Sequence, residues 1–165
     1  MNLKKNWKPV IDRFLSKLTM WKSKTLSFGG RLTLITSVLG NPPTFYLSLF
    51  AAPIGVIETL EKIRRAFLWG GSEGNQKINW VSWEKITTSK NEGGLGVGSI
   101  KALNIALLVK WWWRLKTNPN LLWSRAITGI HNLHSKPLYY FANKYITGTW
   151  KNIAGMKKEL TKAGI

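Results

Sequence analysis

The strongest constraint on the fold lies between Phe67 and Trp113, where glycines alternate with tryptophans. The stretch reads Phe67-Leu68-Trp69-Gly70-Gly71, Ile78-Asn79-Trp80-Val81-Ser82-Trp83, Gly93-Gly94-Leu95-Gly96-Val97-Gly98 and then Trp111-Trp112-Trp113. Six of the ten tryptophans fall there. An indole carries too much apolar surface to stand in water six times over without a packing or binding reason. Function is first sought in this stretch.

On either side the chain is periodic. Trp7, Ile11, Phe14, Leu18 and Trp21 follow one another at spacings of four and three, which predicts a helix with one apolar stripe. Lys8, Arg13 and Lys17 lie off that stripe, and such a face can be a solvated surface or lie along a phosphate backbone. Leu26-Ser27-Phe28-Gly29-Gly30-Arg31 predicts a turn, followed by an apolar run from Leu32 to Leu39, helical or stranded. Gly40-Asn41-Pro42-Pro43 stops it. The interval from Leu32 to Ile57 carries no charge, but this break leaves pieces of about ten residues, too short to span a bilayer. No membrane partner is expected.

After Pro53, a residue suited to a first helical turn, Val56, Leu60, Ile63 and Phe67 predict a second helix. Glu58 with Lys62, and Glu61 with Arg65, are spaced as i,i+4 pairs, each worth a few tenths of a kcal/mol at about 0.3. Residues 72–76 and 87–92 are polar loops, and Ile78 to Ile86 reads as a short extended or mixed segment. Ser99 is placed to cap a helix through Ile100, Leu103, Leu107 and Trp111, with Leu108, Trp112 and Leu115 on an adjacent face. Three consecutive tryptophans on a helix point about 100° apart, so they cannot share one core. Most of the indoles are expected inside, with Trp113, Lys110, Arg114 and Lys116 outside. Beyond Pro119 a short apolar helix is expected over 121–130, then a looser stretch with Tyr139, Tyr140, Phe141 and Tyr145, then a basic helix from about Trp150. No stop signal precedes Ile165, so the chain reads as cut short. The expected class is mainly α, with a short Trp/Gly-rich extended or irregular segment.

Charge narrows the choice of partner. Twenty-five Lys and Arg stand against seven Asp and Glu, a net charge of +18, and between Gly93 and Lys158 there are ten basic residues and no acid. Such a half cannot neutralise itself, and the imbalance points to nucleic acid more than to a merely solvated surface. The basic N-terminus leads into an amphipathic pattern rather than an apolar signal core, so a nuclear or cytoplasmic protein is expected, not a secreted one.

Catalytic chemistry finds little to stand on. There is no cysteine, which excludes disulfides, thiolate zinc sites and cysteine nucleophiles. Two-metal phosphoryl transfer needs converging carboxylates, and Asp12 and six scattered glutamates offer no pair. His131 and His134 make at most half a metal site. Gly93 to Gly98 lacks the Lys-Ser/Thr that completes a phosphate loop, so its glycines are expected to permit a tight turn, with a phosphate at the following helix N-terminus as the alternative. No catalytic residue and no metal ligand is assigned. The positive signal is Lys110-Trp111-Trp112-Trp113-Arg114-Leu115-Lys116, where aromatic faces stand beside cations.

Several ordered motifs carry a resemblance. They are Leu26-Ser27-x-Gly29-Gly30-Arg31-x-x-Leu34-Ile35-x-x-Val38-Leu39, Pro43-x-x-Tyr46, Phe67-Leu68-Trp69-Gly70-Gly71, Trp80-Val81-x-Trp83, Gly93-Gly94-Leu95-Gly96, Asn104-x-Ala106-Leu107-Leu108-x-Lys110-Trp111 and Leu122-Trp123. Over about residues 7 to 130 the chain resembles plant LINE-type (non-LTR) retrotransposon reverse transcriptases, in the region after the polymerase palm and before the zinc-binding segment. The resemblance implies a thumb/connection-like region at residues 1–130 and a truncated linker toward a missing zinc-binding segment at 131–165. That family's catalytic aspartates, with the Mg²⁺ they hold, lie upstream, and no position here matches them. It therefore implies a fragment of an RNA-directed DNA polymerase, inactive alone, with no cofactor of its own.

Composition and resemblance together predict binding of RNA, DNA or their hybrid through Lys8, Arg13, Lys17, Arg31, Lys101, Lys110, Arg114 and Lys116, with Trp113 for stacking. A different class remains open: a structural module packing against upstream polymerase domains. An active enzyme is expected only if a companion chain supplies the carboxylates.

Overall fold

A computed structural model describes residues 3–20, 25–38, 43–70, 78–130, 148, 150, 151, 153 and 155. The described chain is mainly helical and contains no strand. Its helices are α1 (Leu3–Met20), α2 (Phe28–Val38), α3 (Pro43–Leu49), α4 (Ile54–Leu68), α5 (Trp83–Thr87), α6 (Ile100–Thr117) and α7 (Leu122–Ile130), with a 3₁₀ turn at Lys90–Glu92. Trp150, Lys151, Ile153 and Gly155 are helical too, where a final helix was expected. Trp21, His131, His134 and the tyrosines at 139, 140 and 145 lie outside the described residues. The chain divides into two compact units, one of Met1–Tyr46 and Ala52–Leu103, the other of Leu47–Ala51 and Asn104–Ile165.

In the first unit α1 and α2 pack on α4. Helix α1 buries Trp7, Val10, Phe14 and Leu18. Val10 takes the place expected for Ile11, which is half-buried, because a step of three from Trp7 centres the stripe on α4 as well as a step of four does. The segment expected as a turn at 26–31 is the start of α2. Ser27 Oγ accepts from Gly30 N–H at 3.2 Å and Ser27 O from Arg31 N–H at 3.0 Å, so the glycine pair lies in a capped first turn. Inside α2 the hydroxyls of Thr33 and Thr36 donate back to the carbonyls of Gly29 and Leu32, so both are satisfied within the helix.

Helix α4 starts after Pro53, whose carbonyl accepts from Val56 and Ile57 N–H at 2.9 and 3.1 Å; Pro53 is thus the cap rather than a residue of the first turn. Its buried residues are Val56, Leu60, Arg64, Phe67 and Leu68, with Ile63 only half-buried. A guanidinium therefore holds a core position. The segment expected as extended at 78–86 is irregular to Ser82 and then helical, because Ser82 Oγ accepts from Lys85 N–H at 3.4 Å and Trp83 and Ile86, three apart, are both buried.

The chain then doubles back, with Leu95 N–H donating to Ile86 O at 3.1 Å and Gly96 N–H to Thr88 O at 3.0 Å. A Cβ on Gly94 would overlap the Thr88 carbonyl. The Gly94→Ala chain is expected to lose about 1–3 kcal/mol, the usual range for forced backbone strain, read by urea denaturation; a midpoint equal to the parent's would show that the turn can open freely.

In the second unit α6 buries Asn104, Leu108 and Leu115. The Asn104 amide donates to Leu47 O at 2.6 Å and Phe50 O at 2.9 Å, and Trp111 Nε1–H donates to Ser48 O at 2.8 Å. These carbonyls stand at the C-terminal end of α3, where the helix has no donors of its own for them. Asn104 and Trp111 are two helical turns apart, so one face of α6 caps the C-terminal end of α3 with two side chains. On α7, Trp123 meets Trp111 edge-on at 5.7 Å and stacks on Trp150 at 6.4 Å. Asn104→Leu keeps the volume and strands two carbonyls, so a loss of about 1–3 kcal/mol is expected in thermal denaturation. An unchanged melting temperature would mean that water replaces the amide.

Candidate nucleic-acid interface

The nine candidate residues fall into separate groups. Lys8 and Arg13 are exposed and Lys17 half-buried on α1, Arg31 is half-buried on α2, and Lys101 is exposed in the first turn of α6; all five belong to the first unit. At about 100° per residue, Arg13 and Lys17 share one side of α1, whereas Lys8 lies roughly 140° or more from either. Lys8 is therefore not part of one α1 surface with the other two.

Lys110, Trp113, Arg114 and Lys116 belong to the second unit. Lys110, Trp113, Arg114 and Thr117 are all exposed and spaced i, i+3, i+4, i+7, which sets them within an arc of about 100° on α6. Trp113 is 57% exposed. Lys116 is differently engaged, with its ammonium 5.8 Å from the centre of the Trp112 ring one turn back. Residues 104–158 contain no acid to neutralise this face. An exposed indole with two cations beside it on one helix face offers a stacking surface next to phosphate partners.

The remaining indoles divide as their surroundings dictate. Trp7 and Trp83 are buried, and Trp69, Trp111, Trp112, Trp123 and Trp150 are half-buried. Trp80 is 81% exposed, a position that the apolar look of Ile78 to Ile86 concealed. The signal available for it was local: Asn79 and Ser82 flank it, and it precedes the Ser82 cap.

The glycine run does not cradle an anion. Arg64 is fully buried, and its guanidinium donates to Val97 O at 3.2 Å and twice to Gly98 O at 3.2 Å. It also meets Glu61 Oε2 at 2.7 Å, which accepts from Trp83 Nε1–H at 3.0 Å. Glu61 Oε1 accepts from the Ile100 N–H at 2.8 Å, and Ser99 Oγ from the Lys101 N–H at 3.2 Å. The N-terminus of α6 is thus supplied with a carboxylate and a hydroxyl from within the chain. Burial pulls the Arg64 guanidinium below its ordinary pKa, and the Glu61 carboxylate opposes that pull. Both the Arg64 and Arg65 guanidiniums lie over Trp83, at 5.5 and 5.7 Å from the ring centre.

This corrects two expected pairs. Glu61 binds Arg64, the residue before Arg65, and no ion pair joins Glu58 to Lys62 among the described residues. From the sequence Glu61 is read only as a partner of Arg65, and Arg64 is not singled out, although it stands four residues after the core residue Leu60. No described helix is long and apolar enough to cross a membrane.

No family model matches the chain, and no solved structure matches it. Two proteins of Arabidopsis thaliana are similar to it. One, provisionally named a ribonuclease H protein, is 32% identical over 158 residues, covering 94% of this chain and 26% of the relative. The other, an uncharacterized mitochondrial protein, is 28% identical over 121 residues, covering 73% of this chain and 79% of the relative. The chain spans about a quarter of the length of the first relative. Its relatives among known sequences thus include plant proteins, one of them bearing the name of a nucleic-acid enzyme.

Proposed function

We propose that this chain is a non-catalytic part of a retrotransposon RNA-directed DNA polymerase and that it holds template and primer. The observation that carries the reading is the exposed face of Lys110, Trp113, Arg114 and Thr117 in a unit almost without acids. The net charge of +18, the ordered motifs shared with plant LINE-type enzymes, and a plant relative named for ribonuclease H support it. On this reading residues 1–130 serve as the thumb/connection, 131–165 lead toward a zinc-binding segment, and the Mg²⁺ chemistry belongs to a part of the enzyme upstream. RNA, DNA and their hybrid are all suitable partners, because a phosphate-and-stacking surface reads no base edges.

Filter binding against salt tests this. The expected result is submicromolar to micromolar binding at low salt and a log K versus log salt slope of about −2 or steeper, since each neutralised phosphate contributes about −0.7 to −0.9. A flat dependence, or no affinity for any nucleic acid at low salt, rejects the reading.

A second reading has its own observation. Leu122 and Ile130 are 83% and 75% exposed, and with exposed Ala126 they form an i, i+4, i+8 apolar line on α7. Such a face suits packing against other polymerase domains. It predicts concentration-dependent self-association that Leu122→Glu abolishes, measured by sedimentation.

A further inference from the structure

In the first unit a cleft of about 330 Å³ is lined by Phe28, Trp69, Val81, Ile86 and Leu95, with Lys85 as its only charged residue among the described ones. The two aromatic rings lie 5.8 Å apart at 42°, so the wall they make is bent rather than flat. Phe28 and Val81 are 40% and 41% exposed, which leaves the mouth open, and Lys85 is exposed. Trp69 Nε1–H is buried and makes no hydrogen bond among the described residues. None of these residues belongs to the α6 face.

We propose that this cleft takes one unpaired nucleobase of a bound polynucleotide, with Lys85 on the adjoining phosphate. The proposal rests on the nucleic-acid reading above and adds a site to it. Its volume stands at the small end of ligand sites, enough for one nucleotide and too little for two. A nucleobase has apolar faces that suit aromatic and aliphatic walls. Its phosphate suits the one cation present. An aliphatic side chain from a protein partner would use the walls but not Lys85. In a chain of net charge +18, an anion is also the occupant that the long-range field gathers. A base held in a duplex cannot enter, so the cleft selects unpaired positions such as bulges, frayed ends or single strands.

The test is fluorescence anisotropy with the full chain, a labelled blunt duplex, and the same duplex carrying one bulged nucleotide. The bulged duplex is expected to bind about tenfold more tightly, the size of one stacking contact. Val81→Trp fills the cleft from its open edge and should bring the ratio of the two affinities to about one, leaving the blunt duplex bound as before. Lys85→Ala, a truncation of an exposed side chain, should reduce the ratio as well and serves where the larger substitution disturbs the fold, as judged by the helical circular dichroism spectrum. Equal affinity for the two duplexes, or a preference that survives both substitutions, overturns the cleft proposal while leaving the α6 reading intact. Absence of binding to either duplex overturns both.

Discussion

Glu61→Ala is expected to unfold about 3–5 kcal/mol more easily than the parent, with a melting temperature lower by about 10 °C, followed by far-ultraviolet circular dichroism. The carboxylate binds Arg64, the Trp83 indole and the first amide of α6 at once, so its loss leaves a buried guanidinium uncompensated and two donors unpaired. Glu61→Gln keeps an acceptor and removes the charge, and its melting temperature should fall between the two. Replacing both partners, as in Glu61→Leu with Arg64→Met, removes the buried charge together with its counter-ion. Much of the single-substitution loss should then return, because the penalty lies in the unpaired group rather than in the missing attraction. A loss below about 1 kcal/mol for Glu61→Ala would show that water reaches Arg64 and that the cluster is not closed.

The second large effect is on binding. Trp113→Ala should weaken affinity for single-stranded nucleic acid by about fivefold to a hundredfold, the measured span of one base-to-aromatic contact. Lys110→Ala with Arg114→Ala should make the log K versus log salt slope less negative by about 1.4 to 1.8, two phosphate contacts' worth. All three side chains are exposed, so the thermal midpoint should stay within about 2 °C of the parent's. The two readouts separate the roles: the indole moves affinity at constant slope, and the cations move the slope. An unchanged slope would assign the phosphate contacts elsewhere, with Arg13 and Lys17 on α1 the next pair to substitute.

How much of this was legible in the sequence depends on what kind of force shaped each element. Helices α1, α4, α6 and α7 announce themselves because burial of an apolar stripe repeats every three or four residues. Residue choice within the stripe is less legible: Val10 against Ile11, and Arg64 against Ile63, differ by one position, about 100° on the helix. Periodicity reads hydrophobicity, so it assigned the core to Ile63 and the surface to a charged neighbour. Arg64 is inside because partners more than thirty residues away, Val97 and Gly98, accept its hydrogen bonds. No local pattern reports that. The start of α2 was missed because two glycines look like a turn, whereas the Ser27 cap makes them the first turn of a helix. Of the candidate site, the α6 face was legible since its cations and indole are close in sequence. The cleft was not, because its walls come from residues 28, 69, 81 and 95.

The glycine run from Gly93 to Gly98 has an electrostatic sign. Loops that hold phosphate turn their amides inward and present partial positive charge; here the Val97 and Gly98 carbonyls are the groups turned toward the ligand, and the ligand is a guanidinium from the same chain. The loop is the inverse of an anion nest, a cation receptor whose occupant is built in. Glycine richness alone therefore leaves the polarity of such a loop undetermined, and the residue that discloses it, Arg64, stands far upstream. Vacating the seat, as in Arg64→Ala, should create a pocket that guanidinium or methylguanidinium refills from solution, and the chain's regained stability would measure how well the backbone carbonyls and the Glu61 carboxylate together select a planar cation.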